Sequence, residues 1–220
     1  SDGDDILVYD TDGGDVIERL SMLRQQQYRG DSAHACLSDF IAPVDSGLTD
    51  HVGMFAVTAG LGANLLSQEF ENSGDDYNAI MAGVLADRLA ETAAEWLHHR
   101  VRGEWGFPDP DEATMEDVLA ERYRSIRPAY GYPACPDLSE LKKVFEMLFT
   151  EEAGLELTDN CAILPAAGVS GLYFAHPSAH YFSVGRVDRE QIEDYGIRKG
   201  LPTRDVESLL YANLGYFPNE

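Results

Sequence analysis

Residues 127–136 read Arg-Pro-Ala-Tyr-Gly-Tyr-Pro-Ala-Cys-Pro. Neither a helix nor a sheet strand tolerates that string, because its three prolines fix φ and remove backbone donors. It opens with a guanidinium able to grip a carboxylate through two parallel hydrogen bonds, and Gly131 permits a close backbone approach. A stiff loop with arginine at its head reads as ligand-facing. Two further stretches, VSGLYF at 169–174 and one at 181–187 that begins Tyr181-Phe182, add aromatic faces that attract a cation. Carboxylate clamp, rigid backbone and aromatic faces together suit a zwitterion or a nucleoside, and the competing reading is a structural turn beside a packed sheet.

Other chemistry has less support. Asp87, Glu91 and Glu95 follow one another at i, i+4 and stack three carboxylates on one helical stripe. Taken alone, that stripe reads as a solvated acidic face. No GxGxxG, GxxxxGK[ST], GxSxG or HExxH occurs, so nucleotide-fold dehydrogenases, P-loop enzymes and the common hydrolases have no local signature. His98 and His99 occupy adjacent helical positions and diverge, which predicts surface residues. His176 and His180 bracket Pro177, which denies them helical ligand geometry, so no metal site is expected. No nucleophile with a partnered base is visible, and no catalytic residue is assigned. Cys36, Cys135 and Cys161 are odd in number and widely spaced, the usage of a reduced compartment.

These residues must be held by other elements. Two strands, 5–9 and 16–23, flank a Thr-Asp-Gly-Gly turn at 11–14, the signature of a hairpin. Residues 52–58 (VGMFAVT) are nearly all apolar and predict a central strand covered on both faces. Helical spacing over 76–102 places Ile80, Met81, Val84, Leu85, Leu89, Trp96, Leu97 and Val101 on an apolar stripe. Further helices are predicted at 114–124, at 138–152 closed by Gly154, at 189–198 and at 203–213, and strands at 169–174 and 181–187. Strands at both ends with helices between predict one α+β domain over residues 1–220, a largely antiparallel mixed sheet with helices packed around it.

Composition narrows the partners. Thirty-nine acidic against 16 basic residues leave a net charge of −23, and lysine occurs only at 142, 143 and 199. Such a surface repels phosphate backbones and anionic lipids, so neither nucleic acid nor membrane is expected as a partner. No apolar run approaches a membrane span and no leader pattern opens the sequence, which predicts a cytoplasmic protein.

Several motifs carry a family resemblance: CLSDFIAP at 36–43, DDY at 75–77, LADRLAE at 85–91, RPA at 127–129 with GYP at 131–133, VSGLYF at 169–174 and QIEDY at 191–195. From about residue 4 to about residue 216 the sequence resembles the C-terminal activation domain of cobalamin-dependent methionine synthase. That resemblance implies a domain that binds S-adenosylmethionine and supports reductive methylation of cob(II)alamin, returning the methyltransferase to homocysteine methylation in methionine biosynthesis. The nucleophile would then be cobalt, on a cobalamin held by another domain or chain, with flavodoxin or a flavoprotein reductase as electron donor. By the same resemblance Arg127 holds the ligand carboxylate, and backbone around Ala129 and Gly131 meets adenine and ribose. Tyr132 faces the cobalt side, Tyr181 and Phe182 close over the ligand, Glu91 pairs with its ammonium, and Asp87 engages the displaced histidine ligand of the corrinoid. Tyr130 stands where the family usually has proline, and Leu138 where histidine is common. The family's upstream segment, which brings a further aspartate to the site, is not among the 220 residues, nor are the homocysteine-site cysteines or the cobalamin signature. The sequence therefore reads as the tail of a multidomain enzyme or a docking subunit. The alternative is a non-catalytic docking module for a corrinoid protein or flavodoxin.

Overall fold

The computed structural model describes residues 1–11, 13–26 and 33–218. Its strands are β1 (Asp5–Tyr9), β2 (Val16–Ser21), β3 (Gly53–Thr58), β4 (Glu156–Leu157), β5 (Ile163–Leu164) and β6 (Gly168–Tyr173). Its α-helices are α1 (Ala63–Asn72), α2 (Asp76–Glu104), α3 (Met115–Leu119), α4 (Leu141–Leu148), α5 (Arg189–Lys199) and α6 (Thr203–Leu209). The α+β class and the antiparallel sense hold. The single mixed sheet does not: the strands form three separate two-stranded ladders, β1 with β2, β3 with β6 and β4 with β5.

The hairpin forms where the turn residues put it, with Ile6 opposite Leu20 and both buried in the main core; Asp12 of its turn lies outside the described residues. β3 is covered by α2 and α4, as its apolar composition requires, although only Phe55 is fully buried. Residues 181–187 are not a strand. The free edge of β6 is already taken by residues 126–128, which exchange hydrogen bonds between Ile126 and Phe174 (3.0 and 3.1 Å) and accept the Leu172 N–H at the Pro128 carbonyl (3.0 Å). Val184 and Val187 instead donate to the loop carbonyls of Pro133 and Asn213.

α2 is present two residues beyond its predicted end, capped by Asp75, which accepts the Asn78 N–H. Its buried face, however, is Ala79, Ala86, Ala90, Ala94, His98 and Arg102, while Ile80, Val84, Leu85, Leu89 and Trp96 are exposed. Small side chains let α2 lie close to α1, β3 and β6, and the large apolar residues are left outside. α3 stops at Leu119, and Glu121 then turns the chain with φ 52°. The helix expected over 138–152 opens as a 3₁₀ turn that runs into α4, and a second 3₁₀ turn follows where Phe149, at φ 51°, ends α4; Gly154 closes the last turn as predicted.

His98 overturns the surface expectation. It is fully buried, bonded through Nε2 to Ser125 Oγ at 2.9 Å, stacked on Tyr173 and edge-on to Tyr123. Arg102, one turn on, is equally buried, paired with Asp109 at 2.5 Å and set 3.7 Å over the Tyr123 ring. Burial, reinforced by the positive Arg102 and Arg127 and only partly opposed by Asp109, pushes the His98 pKa down to about 3. Between that value and the usual 6.5 the unfolded chain binds a proton that the folded chain refuses, so stability is full above pH 6.5 and falls as pH drops. His98 is expected to contribute a loss of about 2 kcal/mol between pH 7 and pH 5. Urea unfolding at the two pH values should show that increment in the parent chain and not in His98→Asn; equal pH slopes would contradict it.

Candidate ligand site

The β6 edge aims the proline loop. A Cβ at Gly171 would stand 2.3 Å from the Pro128 carbonyl oxygen, so only glycine lets residues 128 and 129 cross β6 this closely. Beyond Ala129 the loop closes on itself. The Ala129 carbonyl accepts from the Tyr132 N–H (3.3 Å) and the Cys135 thiol (3.0 Å), and the Gly131 N–H donates to the Cys135 carbonyl (2.9 Å). Gly131 takes φ 86°, open to glycine at little cost. Tyr130 is buried in the main core with Ala134 and Cys135, so the loop is anchored from beneath. Burial raises the Cys135 thiol pKa and keeps it an unreactive donor.

Between this loop, α2 and residues 181–182 lies a cavity of about 350 Å³. Glu91, Glu121, Arg127, Ala129, Tyr132, Tyr181 and Phe182 line it together with Pro128, Pro133, Ala134 and Val169. Of the eight residues expected at a ligand site, six meet here. Gly131 and Asp87 do not: Gly131 faces Leu138, and Asp87 is exposed about one turn before Glu91 on α2. Leu138 thus occupies the space behind the turn, where a Cβ at 131 would come within 2.8 Å of it.

Arg127 supplies the positive charge of the lining. Its side chain is 17% exposed and pairs with Glu95 at 3.1 Å. Its backbone N–H donates to the Tyr181 hydroxyl at 3.0 Å, which fixes that ring at the cavity wall. Burial works against the guanidinium charge, but Glu95 together with Tyr181 and Tyr123 outweighs it and raises the Arg127 pKa. Glu121 is raised by burial, opposed by Arg127 and assisted by Glu95. The lining is thus one cation, two carboxylates, three aromatic rings and a floor of small and cyclic residues, dimensions and chemistry that fit a nucleoside joined to an amino acid.

Two functional candidates escaped sequence reasoning. The sequence spacing puts Glu121 within a helix that in fact ends before it. Glu95 reads from sequence as part of an acidic stripe, although the i, i+4 step from Glu91 puts both on the side of α2 that meets the loop. Among the described residues no group of three His, Cys, Asp or Glu is arranged to hold a metal ion, and no helix is long and apolar enough to cross a membrane.

Known proteins share this sequence pattern and fold. The family described as vitamin B12 dependent methionine synthase, activation domain, matches residues 1–200. Among solved structures, the crystal structure of the MetH reactivation domain bound to AdoHcy superposes with a TM-score of 0.93 at 46% identity, covering 98% of this chain and 67% of that one. The chain belongs to the activation-domain family of vitamin B12 dependent methionine synthase.

Proposed function

We propose that the cavity behind the 127–136 loop binds S-adenosylmethionine and presents its methyl group for reductive methylation of cob(II)alamin carried by a separate cobalamin-binding module. The observation that supports this reading is the Arg127 guanidinium, held at the cavity wall by Glu95 and ringed by Glu91, Glu121, Tyr181 and Phe182. Arg127 takes the ligand carboxylate, and Glu91 and Glu121 take the ammonium or sulfonium charge. Tyr181 and Phe182 cover the nucleoside, while Ala129 and Pro133 leave it room. The Ala129 carbonyl and Gly131 N–H are spent inside the loop, so Gly131 shapes the turn and Ala129 offers the cavity its small side chain. When bound, S-adenosylmethionine supplies an electrophilic sulfonium methyl; this chain's residues orient it and limit water around it. Tyr132, more than half exposed at the loop's outer side, faces the incoming corrinoid, and Asp87, outside the cavity, is free to meet the partner module.

The domain alone is not a complete methyltransferase on this reading: cobalamin comes from the partner module, and an electron from flavodoxin or a flavoprotein reductase. Mixing the chain with the cobalamin-binding module, S-adenosylmethionine and a reducing system should convert cob(II)alamin to methylcobalamin, followed by visible absorbance. Ligand binding by calorimetry without any such conversion would leave only half of the reading standing, and no binding would favour a docking module that keeps the fold without the ligand.

A further inference from the structure

Arg127 lines the cavity and its carboxylate partner does not. Glu95, one helical turn beyond Glu91, stands behind the guanidinium. Its Oε2 accepts from Arg127 Nε at 3.3 Å, from Arg127 Nη2 at 3.1 Å and from the Tyr123 hydroxyl at 3.2 Å. Its Oε1 is buried with no partner among the described residues. A guanidinium offers two edges of paired donors, the side edge formed by Nε and one terminal nitrogen, and the end edge formed by both terminal nitrogens. Glu95 occupies the side edge. No protein acceptor meets Nη1 among the described residues, so the end edge stays available.

We propose that Glu95 is a positioning residue that clamps the side edge of Arg127, so that the end edge reads a ligand carboxylate. The inference rests on the reading that this cavity takes S-adenosylmethionine and adds how the amino-acid end is recognised. An unclamped arginine has several torsions to lose on binding a ligand, whereas one already held by charge and by the Tyr123 hydroxyl loses few. The charge itself matters. Arg127 is the cation paired with Glu95 among the described residues, and with Oε1 buried and unpartnered the carboxylate depends on that pairing. Tyr123 is in turn fixed by the cation–π contact with Arg102 and the edge contact with His98, which ties the clamp to the rigid end of α2. A ligand carboxylate that took the side edge would compete with Glu95, and removing the Glu95 charge would then strengthen binding.

The test compares the parent chain with Glu95→Gln, which keeps shape and one acceptor while removing the charge. The two ligands are S-adenosylmethionine and its decarboxylated form, which keeps sulfonium and ammonium and lacks only the carboxylate. Binding is followed by ligand-observed NMR, which registers weak ligands. Glu95→Gln should weaken S-adenosylmethionine roughly tenfold and leave the decarboxylated ligand within about a factor of two, with Glu95→Asp intermediate. Unchanged or tighter S-adenosylmethionine binding overturns the proposal. Parallel loss of both ligands overturns it too, because that is the mark of a merely structural role. If the parent chain binds no S-adenosylmethionine, the reading of the cavity itself fails, and this inference falls with it.

Discussion

Arg127→Ala is expected to lower the affinity for S-adenosylmethionine on the order of 100-fold, because it removes two charge-assisted hydrogen bonds worth about 3 kcal/mol together. Arg127 is the cation of the lining, and no other side chain there can replace it on the ligand carboxylate. The substitution does more than delete a contact. Glu95 loses its salt bridge and keeps only the Tyr123 hydroxyl at 3.2 Å, with Oε1 already unpartnered. A half-buried carboxylate stripped of its cation destabilises the fold, and the remaining ring of Glu91, Glu95 and Glu121 repels a ligand carboxylate. Pairing the substitution with Glu95→Gln separates the two effects: stability returns toward that of the parent, while affinity stays low. Calorimetry on both variants, with melting temperatures alongside, is the check. Arg127→Ala binding within threefold of the parent would remove Arg127 from the site.

Much of the fold was legible because its signals were local. The turn before Val16 names the hairpin, the helical spacing over 76–102 names α2, and Arg127 with its prolines names the stiff loop. What failed depended on partners distant in sequence. Residues 181–187 have the pattern of a strand but no free edge to join, since residues 126–128 reach β6 first. The apolar stripe of α2 was assigned by residue size, yet its packing is set by alanines that admit a close approach to β3 and β6. His98 lies one turn beyond Ala94 on that alanine face, and reading the face by small residues would have buried it. Arg102 follows in the same register. The loop residues that line the cavity are readable from their chemistry, whereas Glu95 is distinguished from its solvated neighbours only by the guanidinium that folding brings to it.

A severe steric demand falls on Gly171 beneath the loop, where Gly171→Ala is expected to cost about 3 kcal/mol of stability and to abolish measurable ligand binding. The added methyl would meet the Pro128 carbonyl oxygen at 2.3 Å and the Ala129 Cα at 2.9 Å. Both obstacles are backbone, and neither can rotate aside. Relief requires residues 126–129 to lift off β6, which breaks the Leu172 N–H to Pro128 bond and strains the Ile126–Phe174 pair beside it. Arg127 rides on that segment, so its guanidinium leaves Glu95 and the cavity wall, and Tyr181 loses the N–H it accepts. Tyr130, Ala134 and Cys135 still hold the far side of the loop in the core, but the Arg127 end has this crossing as its backbone anchor on β6. Gly83→Ala is the matched control: it lies inside α2 with no atom near the new methyl, and it should stabilise the chain by roughly 0.5–1 kcal/mol. Hydrogen exchange at the Leu172 amide reports the crossing directly. If that amide stays protected in Gly171→Ala and calorimetry still finds parent-like affinity, the β6 edge does not hold the ligand loop in place.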